Sequence, residues 1–422
     1  MKKKALACAV TSVSMMTVAA SDAAASAFAL YEQGISGLGN SYAGAAAVSE
    51  DATTVWWNPA GMAWLPAGKH ITGAAAFIAP STKFSDRASV AAAGRPLGDN
   101  GGDAGSSVVL PSVFFAMDIG RNWNFGFVIN APFGLKTEYD STWIGRFQGI
   151  KAEVKTVNFN PSVSYRINDV LSVGGGVSYW RGEIDLVSAV NLGVAEAQNH
   201  TNVDGDAWGF NLGAQAKVGP QTRLGLHYRS SVDFKLDGDT SFSAPAPSAL
   251  NSKVKLDVRT PDSVAFSAAH HLNDQLDLLA DVTWWHWSKI NQLPLVRTDG
   301  PFSGATLDTL VLNLKDVWRV SAGASYKLSG PLTLKVGVAY DQSPVRSADA
   351  RTVRLPDSDR YWLSAGLKYT VSKSGVLDVG YAYVKFKDAD INNNQAALGR
   401  GIVNGTYEAS VHVLGIQYQH TF

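Results

Sequence analysis

Between residues 208 and 218 apolar side chains occupy every second position: Trp208, Phe210, Leu212, Ala214, Ala216 and Val218, with Gly209, Asn211, Gly213, Gln215 and Lys217 between them. Trp318, Val320, Ala322, Ala324 and Tyr326 alternate in the same way with Arg319, Ser321, Gly323, Ser325 and Lys327. So do Leu332, Leu334, Val336, Val338 and Tyr340 with Thr333, Lys335, Gly337, Ala339 and Asp341. Successive side chains of a strand point to opposite faces. Each segment therefore predicts a strand with one continuously apolar face and one small, polar or charged face. A soluble sandwich would turn the apolar face inward. These segments, however, run to roughly 10–16 residues against about 5–6 in globular sheets, and tyrosines stand at strand ends (Tyr179, Tyr228, Tyr340, Tyr369). Long strands with aromatic ends and a polar inner face suit a transmembrane barrel. In lipid only a closed sheet satisfies every backbone N–H and C=O.

Strand centres near residues 75, 112, 128, 160, 176, 212, 227, 264, 281, 320, 336, 364, 380 and 415 predict an all-β, antiparallel barrel of about fourteen strands. Single-chain bacterial barrels have even counts. Asn168-Asp169, Gly219-Pro220 and Ser329-Gly330-Pro331 mark tight turns, whereas 85–107, 187–204 and 237–252 are expected as long, mostly polar loops. Short periplasmic turns and long outer loops give that asymmetry. The last strand places Leu414, Ile416, Tyr418, His420 and Phe422 on one face, and a terminal Phe after such a run resembles the signal for the barrel assembly machinery.

Residues 28–66 do not alternate. Gly37, Gly39, Gly44, the run Ala45 to Ala47 and Pro59 predict turns and short helical pieces. A barrel this wide needs a plug or leaves a channel. The expected division is therefore a hatch over 28–66 inside the lumen and the barrel over 67–422.

The first residues set the compartment. Lys2 to Lys4, the apolar run Ala5 to Ala20 and Ala25-Ser26-Ala27 follow the order of a secretory signal peptide, cleaved after Ala27. A single anchor helix would need about 20 apolar residues, and the run falls short. A lipoprotein cleavage box at Leu6-Ala7-Cys8 would leave almost no apolar region before it. Cys8 is the one cysteine, so the mature protein is left without disulfide, thiolate or Cys-ligated metal. The 36 basic and 36 acidic residues cancel, which argues against a nucleic-acid partner. Charged residues make up 17%, below the roughly 25% of soluble domains.

The segment Ser36-Gly37-Leu38-Gly39-Asn40-Ser41-Tyr42-Ala43-Gly44, followed by Asp51-Ala52 and Asn58-Pro59-Ala60-Gly61, resembles the outer-membrane long-chain fatty acid transporters, a family that includes aromatic-hydrocarbon uptake proteins. Further matches follow in order: Pro132-Phe133-Gly134-Leu135, Gly205 to Phe210, Leu226-His227-Tyr228-Arg229-Ser230, Trp287-Ser288, Tyr340 to Val345 and Leu355 to Ser364. The resemblance covers essentially the whole mature chain. It implies a fourteen-stranded barrel with an internal hatch, and passive uptake of hydrophobic molecules that leave sideways through a gap in the wall. It places the hatch motif on Asn58, Pro59 and Ala60 and a kinked third strand on Asn130 to Gly134. Pro132 in the kink and Trp56-Trp57 beside the hatch motif depart from the pattern. The loops 85–107 and 237–252 do not align, which leaves the substrate open between fatty acid and aromatic hydrocarbon.

No Gly-rich phosphate loop, His-Glu-x-x-His or Cys/His metal spacing occurs. The adjacent His270 and His271 would point to opposite faces of a strand. No catalytic residue, metal or cofactor is expected, and the chain is not read as an enzyme. A fatty acid needs an apolar tunnel and one or two cations. Arg319, Lys335, Arg351 and Arg360 are the lumen-side candidates, with pairing to Asp341, Asp357 and Asp359 as the competing role. In the third strand Phe125, Phe127 and Ile129 alternate until Ala131-Pro132-Phe133-Gly134 intervenes. Proline cannot donate to a ladder and Gly134 permits a sharp bend. Asn130, Pro132 and Gly134 are thus expected gate residues, with the hatch around Asn58 satisfying the freed backbone. An ordinary bulge near the rim is the alternative. A general diffusion porin is the second functional reading, and it should lack an apolar hatch and line its lumen with strong charge. The expected state is a monomer surrounded by outer-membrane lipid.

Overall fold

The computed structural model describes residues 27–422. The leader expected over 1–27 therefore lies, but for its last residue, outside the described residues. In chain order the strands are β1 (Lys69–Asp86), β2 (Val108–Gly120), β3 (Trp123–Asn130), β4 (Gly134–Glu138), β5 (Lys151–Arg166), β6 (Leu171–Asn191), β7 (Glu196–Val218), β8 (Thr222–Arg229), β9 (Asp233–Phe242) and β10 (Ser252–Arg259). Then come β11 (Ser263–His271), β12 (Leu276–Trp285), β13 (Gln292–Arg297), β14 (Thr306–Val311), β15 (Val317–Ser329), β16 (Leu332–Asp341), β17 (Arg360–Thr370), β18 (Gly375–Phe386), β19 (Ala389–Asn394) and β20 (Ile402–Thr421).

The wall runs β1-β2-β3-β5-β6-β7-β8-β11-β12-β15-β16-β17-β18-β20 and returns to β1, each neighbour antiparallel. These are the fourteen strands the alternation predicts, and every expected centre falls inside one of them. The ring is sealed where β1 meets β20, with Phe422 N donating to Lys69 O at 2.9 Å. The two faces sort as the period requires. Trp208 (68% exposed), Leu363 (64%) and Val336 (56%) stand on the outside, while Arg319 and Asp341 are fully buried. A continuous outer band of this kind is stable only against hydrocarbon.

One expected loop is mostly strand and another is shorter than expected. Residues 187–204 are largely strand, since β6 and β7 stay paired as far as Asn191 and Glu196, and 237–242 continue β9 beside 199–204 of β7, while 243–251 are the expected loop before β10, which pairs with β9. Their alternation is written in short polar residues: Thr201 and Val203 are buried and Asp204 is exposed. Beyond the bilayer the outer face meets water, so the apolar half of the period disappears while the pairing continues. β13 and β14 form a further hairpin that joins this extension through β10.

Residues 27–66 form 3₁₀ turns at Leu38–Asn40 and Pro59–Trp64 and the single helical turn α1 (Thr54–Trp57). They pack on the inner face of the wall, which is stripped of side chains to receive them. A methyl group at Gly213 would collide with the Asn58 side chain, at Gly225 with the Ala46 backbone, and at Gly323 or Gly337 with Asn40. Glycine weakens a strand unless another backbone must come close, and here one does.

Because the ring leaves no sheet edge to solvate, the purified protein should stay folded in SDS without heating and migrate faster than after boiling. Identical migration with and without boiling would contradict the closed wall.

Candidate functional site

β3 stops at Asn130, opposite Asn158, and β4 resumes at Gly134, opposite Lys155. Residues 131, 132 and 133 thus face 156 and 157, three against two, which is a bulge. On the other side the β2–β3 ladder ends at Val113 and Ile129, and β4 pairs with β5 alone. The wall is interrupted between residues 108–112 of β2 and β4. Pro132 is suited to this position because it has no N–H to leave unpaired.

The freed backbone groups are met from within. Pro132 O accepts from Leu30 N at 2.8 Å, and Gly134 N donates to Phe28 O at 2.9 Å. Ala131 O accepts from Gln33 Nε2 at 2.9 Å. From β5, Thr156 Oγ1 accepts from Phe133 N at 3.0 Å and donates to Phe133 O at 2.7 Å. This corrects the expectation that residues around Asn58 would fill the break. The Asn58 amide donates instead to Ala46 O (2.7 Å) and Ala214 O (3.0 Å), and its Oδ1 accepts from Ala60 N at 3.1 Å, capping the turn that Pro59 begins. Ala60 O in turn accepts from Ser172 Oγ at 2.9 Å. Asn130 Oδ1 accepts from Asn158 Nδ2 at 2.8 Å, where β3 ends.

Beside the break lies a cavity of about 410 Å³, lined by Phe28, Leu135, Val154, Ile184, Leu186, Val258, Leu293, Leu310 and Leu355. Arg354 and Arg400 supply its cations. Burial pulls the Arg354 guanidinium down to about 10, so it remains charged near neutrality. Arg354 donates to Gln148 O (3.1 Å) and Lys151 O (3.0 Å), and Arg400 pairs with Asp308 at 3.0 Å. The Phe28 ring touches Phe133 at 5.7 Å and Trp287 at 4.8 Å. Phe133 lines a second, smaller cavity of about 50 Å³, together with Tyr31, Trp56, Trp57, Trp285, His227 and Arg229.

The four cations singled out in the sequence all face inward, and none lines the large cavity. Arg319 donates to Ser41 O at 2.8 Å and stacks 4.1 Å from the Tyr31 ring centre. Lys335 reaches Ser36 O (2.8 Å), Asp378 (3.3 Å) and Glu50 (3.4 Å). Arg360 pairs with Asp357 at 2.5 Å and lies 3.8 Å from Asp341. Arg351 donates to the carbonyls of Asp357 and Asp390. Asp359 is separate from this group and pairs with Lys387 at 3.0 Å. Close by, burial pushes the Glu32 carboxyl up to about 7, with Arg319 and Arg360 opposing it only in part.

Some lining residues carried no signal in the chain. Arg354 stands in an irregular stretch with no period to place it. His227 and Arg229 were legible in principle, because they alternate with the outward Leu226 and Tyr228.

The outer membrane protein transport protein (OMPP1/FadL/TodX) family model matches residues 16–422. Outer membrane protein P1 of Haemophilus influenzae is 29% identical over 456 residues, covering 96% of this chain and 97% of its own. The long-chain fatty acid transport protein of Escherichia coli is 28% identical over 433 residues, 92% and 93% respectively. In fold the chain is similar to the crystal structure of a Pseudomonas aeruginosa FadL homologue, with a TM-score of 0.86 and 24% identity over 94% of this chain and 100% of that one. It is also similar to the Ralstonia pickettii toluene transporter TbuX, with a TM-score of 0.68 and 21% identity over 92% and 100%. The chain belongs to this family of outer-membrane transport proteins, and it is a β-barrel of the outer membrane.

Glu50 ties the N-terminal segment to Lys335 and Lys368. Burial would raise its carboxyl, but the two lysines outweigh burial and hold it well below the usual carboxylate range. A group depressed in this way stabilises the docked state above its unfolded pKa of about 4.3, and that contribution is lost as the pH falls further. Lowering the pH from about 5 to about 3 should therefore expose residues 27–66 to an acid-active protease. Glu50→Gln should show exposure already at neutral pH. Equal protection of parent and variant at neutral pH would show that the bridge does not hold the segment.

Proposed function

We propose that this chain takes up long-chain fatty acids, or similar hydrophobic molecules with one polar end, passively across the outer membrane. The observation that carries the proposal is the wall break at residues 131–133, closed by Phe28 to Gln33 where a strand would otherwise be, with a largely apolar cavity beside it. In this reading the molecule enters the cavity with its tail among Leu135, Ile184, Leu186 and Leu293 and its polar end toward Arg354 or Arg400. Residues 28–66 act as the hatch. Their first residues withdraw from the break, and the ligand leaves sideways between β2 and β4 into the membrane. The three hydrogen bonds at the tip are between neutral groups, whereas deeper in the segment Glu50 and Ser36 are held by the charge of Lys335. Arg319, Lys335, Arg351 and Arg360 hold the hatch and the adjoining loop rather than the ligand. The leader is removed after export, and Phe422 is the mark read by the barrel assembly machinery. The protein works as a monomer.

Transport of an aromatic hydrocarbon is the second reading, favoured by the aromatic lining of the smaller cavity and by the toluene transporters of the same fold. Cells expressing the chain should accumulate labelled oleate faster than cells lacking it. Accumulation of toluene without oleate would favour the hydrocarbon reading. Gly134→Trp should cut oleate uptake severalfold while the heat-sensitive folded band persists. Uptake at the parent rate in that variant would reject the lateral route in favour of an axial channel.

A further inference from the structure

Resting on that reading, we infer that the small cavity beside the break is an anion-recognising station, in which Arg229 and His227 hold the carboxylate of a molecule in transit. On β8 the side chains of His227 and Arg229 turn inward (7% and 6% exposed), while Leu226 is 50% exposed on the outside. The Arg229 guanidinium lies 3.3 Å from the Trp56 ring centre, and its Nη2 donates to Trp56 O at 2.8 Å. Its Nη1 has no hydrogen-bond partner among the described residues, and neither has His227 Nε2. Both atoms are sealed from solvent in a pocket otherwise walled by Tyr31, Trp57, Phe133 and Trp285.

A buried guanidinium with an unused N–H is costly, because the donor has given up water and gained nothing. The site is therefore short of an acceptor. The acid in the same lining does not provide it. Asp281 already accepts from the Thr283 hydroxyl at 2.8 Å and from the Ser267 hydroxyl. What the pocket lacks is a small group with two acceptor oxygens and a negative charge. A guanidinium edge together with one imidazole N–H matches a carboxylate. Position supports the same conclusion. Pro132 and Phe133 line this cavity, so a carboxylate held there would stand at the break while its tail still lies toward Phe28. The inference selects a substrate class: hydrophobic acids are recognised at this step, and plain hydrocarbons are not.

The test is the ratio of affinities of the purified protein for a labelled long-chain fatty acid and for the alcohol of the same chain length. The parent should prefer the acid. Arg229→Met should weaken acid binding about tenfold, the loss of a charge-assisted bond, while changing alcohol binding less than about twofold. His227→Leu, which keeps the Arg229 contacts to Trp56, should lower the ratio by about threefold. If Arg229→Met loses the heat-sensitive band, the His227→Leu ratio decides alone. Unchanged ratios in folded variants would overturn the inference and leave an ordered water as the missing acceptor, with the uptake reading intact. Failure of the parent to bind either molecule would instead overturn the uptake reading, and this inference with it.

Discussion

In hydrocarbon no backbone N–H or C=O can borrow a partner from solvent, and the rest of this molecule follows from that constraint. It requires the fourteen wall strands to close into a ring. It also decides what can happen where the ring is broken. At residues 131–133 the ladder fails, and Ala131 O, Pro132 O, Phe133 N and O and Gly134 N are taken up by Gln33, Leu30, Thr156 and Phe28. The break is therefore a seam closed by partners from outside the ladder. The partners come from the N-terminal segment and from one β5 side chain, not from the backbone of a neighbouring strand.

The charges inside follow a second rule. Buried ions are kept only when paired or bonded, and most of those here fasten the N-terminal segment or the neighbouring loop. Lys335 and Lys368 hold Glu50, Arg319 holds Ser41 O, and Arg360 holds Asp357. Arg229 and His227 each keep a nitrogen without a hydrogen-bond partner among the described residues, as Arg319 and Arg360 do, but theirs line a cavity. The distinction between a fastener and a candidate binding group is thus whether a free donor opens onto a cavity, and it is invisible in residue type.

That explains how much could be read from the chain. The fourteen wall strands were legible because the lipid face is apolar at every second position, as in Trp208, Phe210 and Leu212. Beyond the membrane the signal fades, so the paired stretch around Thr201 and Val203 passed for loop. The break was legible through Pro132 and Gly134, since those residue types cannot sit idly in a ladder. Its occupants were not. Phe28, Leu30 and Gln33 carry no pattern, and the backbone amides and carbonyls that Phe28 and Leu30 contribute are common to every residue. Arg354 reaches the cavity through the course of an irregular loop, which no periodicity encodes.

The seal between the first and last wall strands has a consequence for how the molecule comes into being. β1 and β20 pair from His70 with Thr421 through Asp86 with Gly405, so the two strands most distant in sequence share a long seam. Such a contact pays nearly the whole chain's loop-closure entropy before it returns anything. The ring cannot shut until its last strand has been delivered. The N-terminal segment is joined directly to β1, and its anchors lie against β7, β8, β15 and β16. If the ring shut first, this segment would have to enter through a mouth to reach the cradle of inward glycines. Closing the wall thus encloses residues 27–66, and that closure waits on the pairing of His70 with Thr421.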